Sequence, residues 1–259
     1  MQVIGLRRPF PVTSITLLLV LFSLLATTAL ADPEQISPSQ EAEIINKYLQ
    51  AKSHDNELRG ASMEVEISAE VPKLKESGTL RALRKISRVG QITYKQIAFQ
   101  GAKFVKNEII ARYLSAEQQE QGDQDIGITP ANYKFKYKGE VPSRADTPAY
   151  IFQLTPRKKK VGLFKGEMWI DSKTYLPVFE KGRLVKNPSV FFKKVDFRRG
   201  FAIQNGMAVP AYLASTIDTR LVGKIEININ FSKFTQNQGA EADEETTADS
   251  AVTHQTMLK

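Results

Sequence analysis

Residues 166–182, GEMWIDSKTYLPVFEKG, decide how the chain folds, because they read as a strand, a turn and a second strand. The polar residues 172–174 after Asp171 are typical of a tight turn, and Pro177 suits the start of a strand, where no amide donor is needed. Trp169, the only tryptophan, lies in the first arm, and both of its neighbours are apolar too. The segment therefore predicts a β-hairpin but leaves the face occupied by Trp169 open.

Strands with one apolar and one polar face continue on both sides of this hairpin. In Lys224–Phe231 and in Tyr133–Lys138, apolar or aromatic residues alternate with polar ones, as in an antiparallel sheet with one dry face. About nine or ten such segments, with only two helical ones near 40–59 and 104–120, exclude a doubly wound fold. We predict an α+β protein with a single strongly curved antiparallel β-sheet, a half-barrel, covered by about two α-helices.

Local signals place the boundaries of these elements. Ser37 or Ser39 is suited to cap the first helix, and Gly60 follows its expected end. Residues 77–88 fit both a helical stripe and a strand, and the turn at 88–91 favours the strand. The chain thus predicts a helix, a series of strands, a second helix and then a long meander.

Two helices are too few to cover a wide curved sheet, so we expect an apolar cavity on its concave side. The side chains expected to line it are Tyr133, Phe135, Tyr137, Trp169, Ile225, Ile227, Ile229 and Phe231. The aromatic residues interleaved with lysine at 133–138 also have the look of a single-strand nucleic-acid binder, but core-facing aromatic residues are the favoured interpretation.

The N-terminus has the pattern of a secretory signal peptide. A basic pair at residues 7–8 precedes an apolar run at 16–25 and the small-residue site Ala29-Leu30-Ala31. A membrane anchor is the alternative, but it needs about 20 apolar residues and the run is shorter. We expect cleavage after Ala31 and export to the bacterial periplasm, where the mature protein is soluble or peripheral to a membrane.

The predicted organisation has four parts: a signal peptide at 1–31, a linker at 32–37, the curved-sheet domain at 38–235 and a disordered acidic tail at 236–259. Outside the signal and the tail, residues 32–235 hold 33 basic and 23 acidic residues, a net charge of +10. In an exported protein such a charge points to anionic lipid headgroups, lipopolysaccharide or acidic polymers rather than to nucleic acid. A solvated basic surface that aids solubility is the alternative.

One basic run lies in a predicted hairpin loop, between Pro156 and Gly162. Its residues are Arg157, Lys158, Lys159 and Lys160. They are candidates for contact with anionic lipid headgroups, at about 1 kcal/mol per basic residue near the surface. A solvated turn, with lysines that discourage edge pairing, is the other interpretation.

The sequence offers little for catalysis. It has no cysteine and only two histidines, His54 and His254, and it lacks the common nucleophile, zinc and phosphate-binding motifs. No side chains are spaced for a metal site, and no cofactor is implied. We predict a protein that is not an enzyme, although a pair of carboxylates that meets only in the fold remains a third possibility.

The hairpin also resembles a known motif. Trp169-Ile170-Asp171, the triplet at 172–174 and Leu176-Pro177-Val178 resemble the hairpin of the periplasmic lipoprotein-sorting carriers, the LolA-like superfamily with its LolB and RseB relatives. The order of elements over 38–235 agrees with that superfamily. The resemblance implies a half-barrel closed by helices around a cavity for acyl chains.

Two functions follow from these patterns. The first is an exported envelope protein that binds a lipid or a lipidated protein in an apolar cavity, as a carrier or a sensor. The alternative is a non-catalytic interaction or regulatory module of the envelope, without a small ligand, that holds a partner protein through a sheet edge or its basic face.

Overall fold

The alternating segments join into one open antiparallel sheet of ten strands, in the order β3-β2-β1-β10-β9-β8-β7-β6-β5-β4. The computed structural model describes residues 36–53, 58–119, 126–142 and 148–236. The strands are β1 (Ala61–Val71), β2 (Glu76–Ile86), β3 (Ile92–Gly101), β4 (Tyr133–Pro142), β5 (Pro148–Pro156), β6 (Phe164–Asp171), β7 (Pro177–Leu184), β8 (Phe192–Gln204), β9 (Met207–Thr219) and β10 (Lys224–Gln236). The predicted α+β class, with a curved sheet and two helices, is confirmed.

The first strand of the chain, β1, pairs with the last strand, β10, in the middle of the open sheet. In β1 and β10 the apolar residues share one face, and Ile67 lies opposite Ile229. Register shifts interrupt five of the ladders: β1–β10, β2–β3, β4–β5, β6–β7 and β8–β9. Such bulges bend strands and increase their twist, which accounts for the curvature of a sheet this wide.

The opening hairpin forms as predicted, from β6 and β7. The Asp171 carboxylate closes its turn, since Oδ1 accepts hydrogen bonds from the amides of Lys173 (3.1 Å) and Thr174 (2.7 Å) and from the Thr174 hydroxyl (2.8 Å). Pro177 begins β7 opposite Ile170, where the lack of an amide proton is tolerated. The turn chemistry therefore sets the register of the two strands.

Replacing Asp171 by alanine is expected to lower the free energy of unfolding by about 1–2 kcal/mol, because partly buried hydrogen bonds to the amides of Lys173 and Thr174 lose their acceptor. Asp171 is itself buried, so water replaces the carboxylate poorly. Urea denaturation measures the loss. The matched control is Lys173→Ala, at an exposed position of the same turn. Equal stability of the two variants would contradict this role for the carboxylate.

Helix α1 (Pro38–Ser53) begins at a capping box. Ser37 Oγ accepts a hydrogen bond from the Gln40 amide (3.3 Å), and Gln40 Oε1 accepts one from the Ser37 amide (2.8 Å). Pro38 occupies the first turn, where no amide donor is missed. Of the two candidate caps, the structure uses Ser37.

The second helix begins with a π-helical segment, Val105–Ile110, and continues as α2 (Ala111–Gln119). Residues 77–88, which fitted both a helix and a strand, form β2 and the start of the following turn, as favoured by the turn signal. The element order predicted for this half of the chain is therefore confirmed.

The two helices cover different parts of the sheet and create two apolar clusters. Under α1, Ile44 and Tyr48 pack on β4, β5 and β6; we call this the α1 cluster. The second helix packs Val105, Ile109 and Ile110 on β1, β2 and β10; we call this the second cluster. Strands β8 and β9 run between them and contribute no fully buried residue to either cluster.

Several predicted features lie outside the described residues: the signal peptide and its cleavage site at Ala31, both histidines, and all but the first residue of the acidic tail. Among the described helices, none is long and apolar enough to cross a membrane. Within the same residues, no three side chains of the histidine, aspartate and glutamate type gather as metal ligands would.

Candidate functional site

The middle of the concave face is only partly covered. On β8 and β9 the residues that face the helices pair across the ladder as Phe197 with Ser215 and Arg199 with Leu213. These four, together with Ile217 beside them, are half-buried, whereas the inward residues of β1 and β10 are almost all buried. We call these five residues the open strip. It is the part of the inner face where solvent, or a ligand, meets apolar side chains.

An ion pair lies at the border of the open strip. Glu180 on β7 is directly opposite Arg199 on β8. Its Oε2 accepts a hydrogen bond from Nε of the arginine (2.7 Å) and lies 2.5 Å from Nη2. The Glu180 side chain is only 4% exposed, whereas that of Arg199 is 40% exposed. The carboxylate is therefore held inside the fold, and the guanidinium reaches out of it.

Aromatic side chains surround the guanidinium. Its carbon lies 5.7 Å from the ring centroids of both Phe197 and Phe201, which is a cation–π distance. Phe197 in turn meets Phe164 edge to face at 4.9 Å. Arg199 is thus fixed by rings on its own strand and by a carboxylate on the next strand.

The charges also act on nearby tyrosines. Burial alone lowers the pKa of Arg199, but the Glu180 carboxylate outweighs it, so the pKa is raised and the guanidinium stays charged. Burial raises the pKa of the Tyr133 hydroxyl, against the smaller opposing effect of a hydrogen bond from the Phe164 amide (3.2 Å). The phenol is therefore neutral, and the exposed part of the guanidinium is the positive end of an ion pair that is neutral on balance.

The geometry leaves part of the arginine available. Nε and Nη2 face Glu180, and among the described residues Nη1 has no hydrogen-bond acceptor. An ion pair on an apolar face adds little to stability compared with apolar residues of similar size, because desolvation offsets the attraction. A half-exposed guanidinium with a free edge can bind a carboxylate or a phosphate through two parallel hydrogen bonds.

Seven of the eight residues predicted to line one cavity are divided between the two clusters. Tyr133 is buried in the α1 cluster, with Phe135 and Tyr137 packed at its margin. The isoleucines of β10 are buried in the second cluster, and Phe231 packs against it. These residues lie on the concave face, and most of them are core rather than accessible lining.

The placement of Trp169 in that cavity is wrong. Met168 and Ile170, on either side of it, both belong to the α1 cluster, so alternation puts Trp169 on the convex face. There its ring meets Phe179 of β7 at 4.9 Å, and the indole nitrogen is buried without a hydrogen-bond partner among the described residues. The sequence did not show which face Trp169 occupies, because residues 168–170 are all apolar and the alternation is lost there.

The basic run 157–160 lies in the loop between β5 and β6, as predicted. Arg157 is used structurally, since its Nε donates to the Pro130 carbonyl (2.7 Å). Lys159 lines an open groove of about 600 Å³ together with Lys165 and Lys181. Arg157 and Lys159 thus have different surroundings, and contact of the four residues with headgroups stays a prediction.

Sequence reasoning missed the Glu180–Arg199 pair. The signal was present: at every second position β8 reads Val195, Phe197, Arg199 and Phe201, so a cation interrupts an apolar face. Glu180 interrupts β7 in the same way, and only the register of the two strands reveals that the charges meet. A single charged residue among the inward apolar residues of a strand is the sequence signal of such a pair.

No protein-family model and no curated protein matches the sequence. Solved structures do resemble it. A domain described as an outer membrane lipoprotein-sorting protein from Vibrio parahaemolyticus has a TM-score of 0.44 and 11% identity, over 79% of this chain and 97% of that one.

Two further structures are similar to a comparable extent. A DUF1329 family protein from Desulfovibrio piger has a TM-score of 0.41 and 11% identity, and a LolA superfamily protein from Nitrosomonas europaea has 0.35 and 13%. Each match covers 77% of this chain and 94% of the other. The solved structures that resemble this chain thus include a lipoprotein-sorting domain and a LolA superfamily protein, the group whose hairpin residues 169–178 resemble.

Proposed function

We propose that this protein binds a lipid, or the acyl chains of a lipidated protein, along the open strip, as a carrier or a sensor in the bacterial cell envelope. The observation that carries the proposal is the half-buried strip on β8 and β9 between two helix-covered clusters. The envelope location rests on the predicted signal peptide.

The apolar part of the strip supplies the affinity. Phe197, Leu213 and Ile217 keep part of their surface in water in the free protein, and an acyl chain laid across them removes apolar area on both sides. Each methylene buried contributes about 0.8 kcal/mol. A chain of ordinary length therefore binds without any rearrangement of the two buried clusters.

Arg199 supplies the selectivity. Its guanidinium lies at the border of the strip, next to the rings of Phe197 and Phe201, and its Nη1 has no acceptor among the described residues. An amphiphile whose chain follows the strip can place a carboxylate or a phosphate there, where hydrogen bonds to a charged donor are about twice as strong as neutral ones. The expected ligand is an anionic amphiphile.

Native mass spectrometry of the mature protein, purified gently from its own envelope fraction, tests the proposal when followed by lipid extraction. We expect a bound phospholipid or acylated peptide. Failure of the delipidated protein to take up a fluorescent fatty-acyl probe above background would overturn the proposal, because the strip is accessible without unfolding.

A matched pair of variants tests the position of the site. Leu213→Gln places an amide in the strip, and Ala214→Gln places the same side chain on the opposite face of the same strand. We expect Leu213→Gln to weaken binding of the acyl probe about 10-fold, for loss of roughly two buried methylenes. Probe titration measures both, and equal weakening by Ala214→Gln would contradict the location.

A protein partner is the second candidate function. The outer edge of β3 has no neighbour among the described strands, and Ile97 on that strand is 54% exposed. An unpaired edge can accept a strand from another protein through main-chain hydrogen bonds. Crosslinking in the envelope distinguishes the two: a protein captured through β3, from a preparation that carries no lipid, favours the partner function.

A further inference from the structure

Three turns meet at one end of the strands. They are the turn after β1 (72–75), the loop after β7 (185–191) and the turn after β9 (220–223). Arg220 joins two of them, since its amide donates to the Phe191 carbonyl (2.9 Å) and its Nε to the Val190 carbonyl (3.0 Å). Lys73 Nζ reaches the Leu221 carbonyl at 3.5 Å. The turns form one surface, which we call the tip.

Large apolar side chains project from this tip. Val190 is 81% exposed, Leu221 69%, Phe191 54% and Leu74 42%. Among the described residues only two other large apolar side chains are exposed to this extent, Val89 and Ile97, and neither lies at the tip. Four such residues in contacting turns form an apolar patch of the kind that marks an interaction surface.

Positive charge surrounds the patch. Because neighbouring strands are antiparallel, the loop after β5 lies at the same end of the strands as the three turns. Segments 72–76, 157–165, 185–194 and 218–224 together hold 12 basic and two acidic residues. Their net charge of +10 equals that of the whole of residues 32–235, so the remainder of the domain is neutral on balance.

We propose that the tip docks on the surface of a membrane rich in anionic phospholipid. Protruding valine, phenylalanine and leucine side chains on turns can enter the headgroup region, while the surrounding lysine and arginine side chains meet phosphates. The apolar patch alone, or the basic surface alone, would also fit a protein partner. The combination of a projecting apolar tip with all of the excess charge matches an anionic bilayer.

The position of the tip relates it to the open strip, although the proposal stands without acyl binding. Phe192 of β8 lies opposite Thr219 of β9 at the base of the tip, and the inward residues Val195 and Ile217 follow within one to two ladder positions. The strip therefore starts where the tip would touch the membrane. A docked protein would present its inner face to an acyl chain leaving the bilayer.

Co-sedimentation of the mature protein with vesicles tests the docking. We expect binding to vesicles of phosphatidylcholine mixed with phosphatidylglycerol, and little binding to phosphatidylcholine alone. Added salt should weaken the binding, because exposed charges are screened. Equal binding to both kinds of vesicle, or binding to neither, overturns the proposal.

Two pairs of variants locate the surface. Val190→Ser with Phe191→Ser removes the apolar side chains and leaves the backbone acceptors of Arg220 in place; its control is Val89→Ser with Ile97→Ser, which removes comparable exposed residues elsewhere. We expect the tip pair to weaken vesicle binding at least about tenfold. The control pair should bind as the unaltered protein does.

The charge is tested in the same way. Lys75→Gln, Lys186→Gln and Lys193→Gln combined should weaken binding on the order of 100-fold, since each basic residue near an anionic surface contributes roughly fivefold. Arg88→Gln, Lys95→Gln and Lys138→Gln remove equal charge away from the tip and serve as the control. Equal loss of vesicle binding in both triple variants would show a general charge effect and overturn docking by the tip. Uptake of the acyl probe should be unchanged in the two double and the two triple variants.

Discussion

Replacing Tyr48 by alanine is expected to lower the free energy of unfolding by about 3–5 kcal/mol, the usual cost of removing a large buried aromatic side chain. Tyr48 is fully buried in the α1 cluster, and its hydroxyl donates to the Ile128 carbonyl at 3.3 Å. Together with Ile44 it supplies the buried contacts of α1. The variant should therefore loosen the helix that covers β4, β5 and β6. Urea denaturation followed by circular dichroism measures the loss.

Tyr48→Phe is the control for this prediction. It keeps the ring and removes the hydroxyl, so we expect a loss of only about 1 kcal/mol. If alanine cost no more than phenylalanine, the ring would not anchor α1. Uptake of the acyl probe is a second measurement. In Tyr48→Ala a loosened α1 uncovers apolar surface beside the open strip, so weak, unselective binding of the probe should increase.

Replacing Arg199 by methionine is the second change with a large expected effect. It leaves the Glu180 carboxylate, only 4% exposed, without its partner. Breaking a buried ion pair by removing one member costs about 3–5 kcal/mol, and the exposure of Arg199 reduces this to an expected loss of about 2 kcal/mol. Chemical denaturation at neutral pH measures it.

The double variant separates the structural role of the pair from its role in binding. Glu180→Met combined with Arg199→Met removes both charges, so we expect stability close to that of the unaltered protein. Its preference for a fatty acid over the matched fatty alcohol should disappear, because the guanidinium is gone. A double variant that kept this preference would contradict the role assigned to Arg199.

The fold could be predicted because its signals are local. The alternation in Lys224–Phe231 identifies a one-sided strand, and residues 172–174 after Asp171 identify a turn. Ser37 and Gln40 place the start of α1 through a capping box whose partners are three residues apart. Each of these signals depends on neighbours in the chain and not on the rest of the protein.

The site was predicted incorrectly where the sequence does not show which face of a strand a residue occupies. It was also predicted incorrectly where packing of the helices decides which inward residues stay accessible. Trp169 lies between apolar residues, so its face follows only from the packing of α1 on Met168 and Ile170. Ile227 and Ile229 lie on the concave face, but the second helix buries them. Which inward residues stay accessible depends on where two helices come to rest, and no periodicity in the strands encodes that.

The sequence by itself determined the one-sided strands, the hairpin, the two helices and the excess of positive charge, because periodicity and composition are properties of the chain. Only the tertiary structure decided that Glu180 meets Arg199, nineteen positions away, and that Val190 and Leu221 project from one tip. The physical reason is register: residues distant in the chain become neighbours when strands pair and turns gather at one end. The open strip and the tip are products of that pairing.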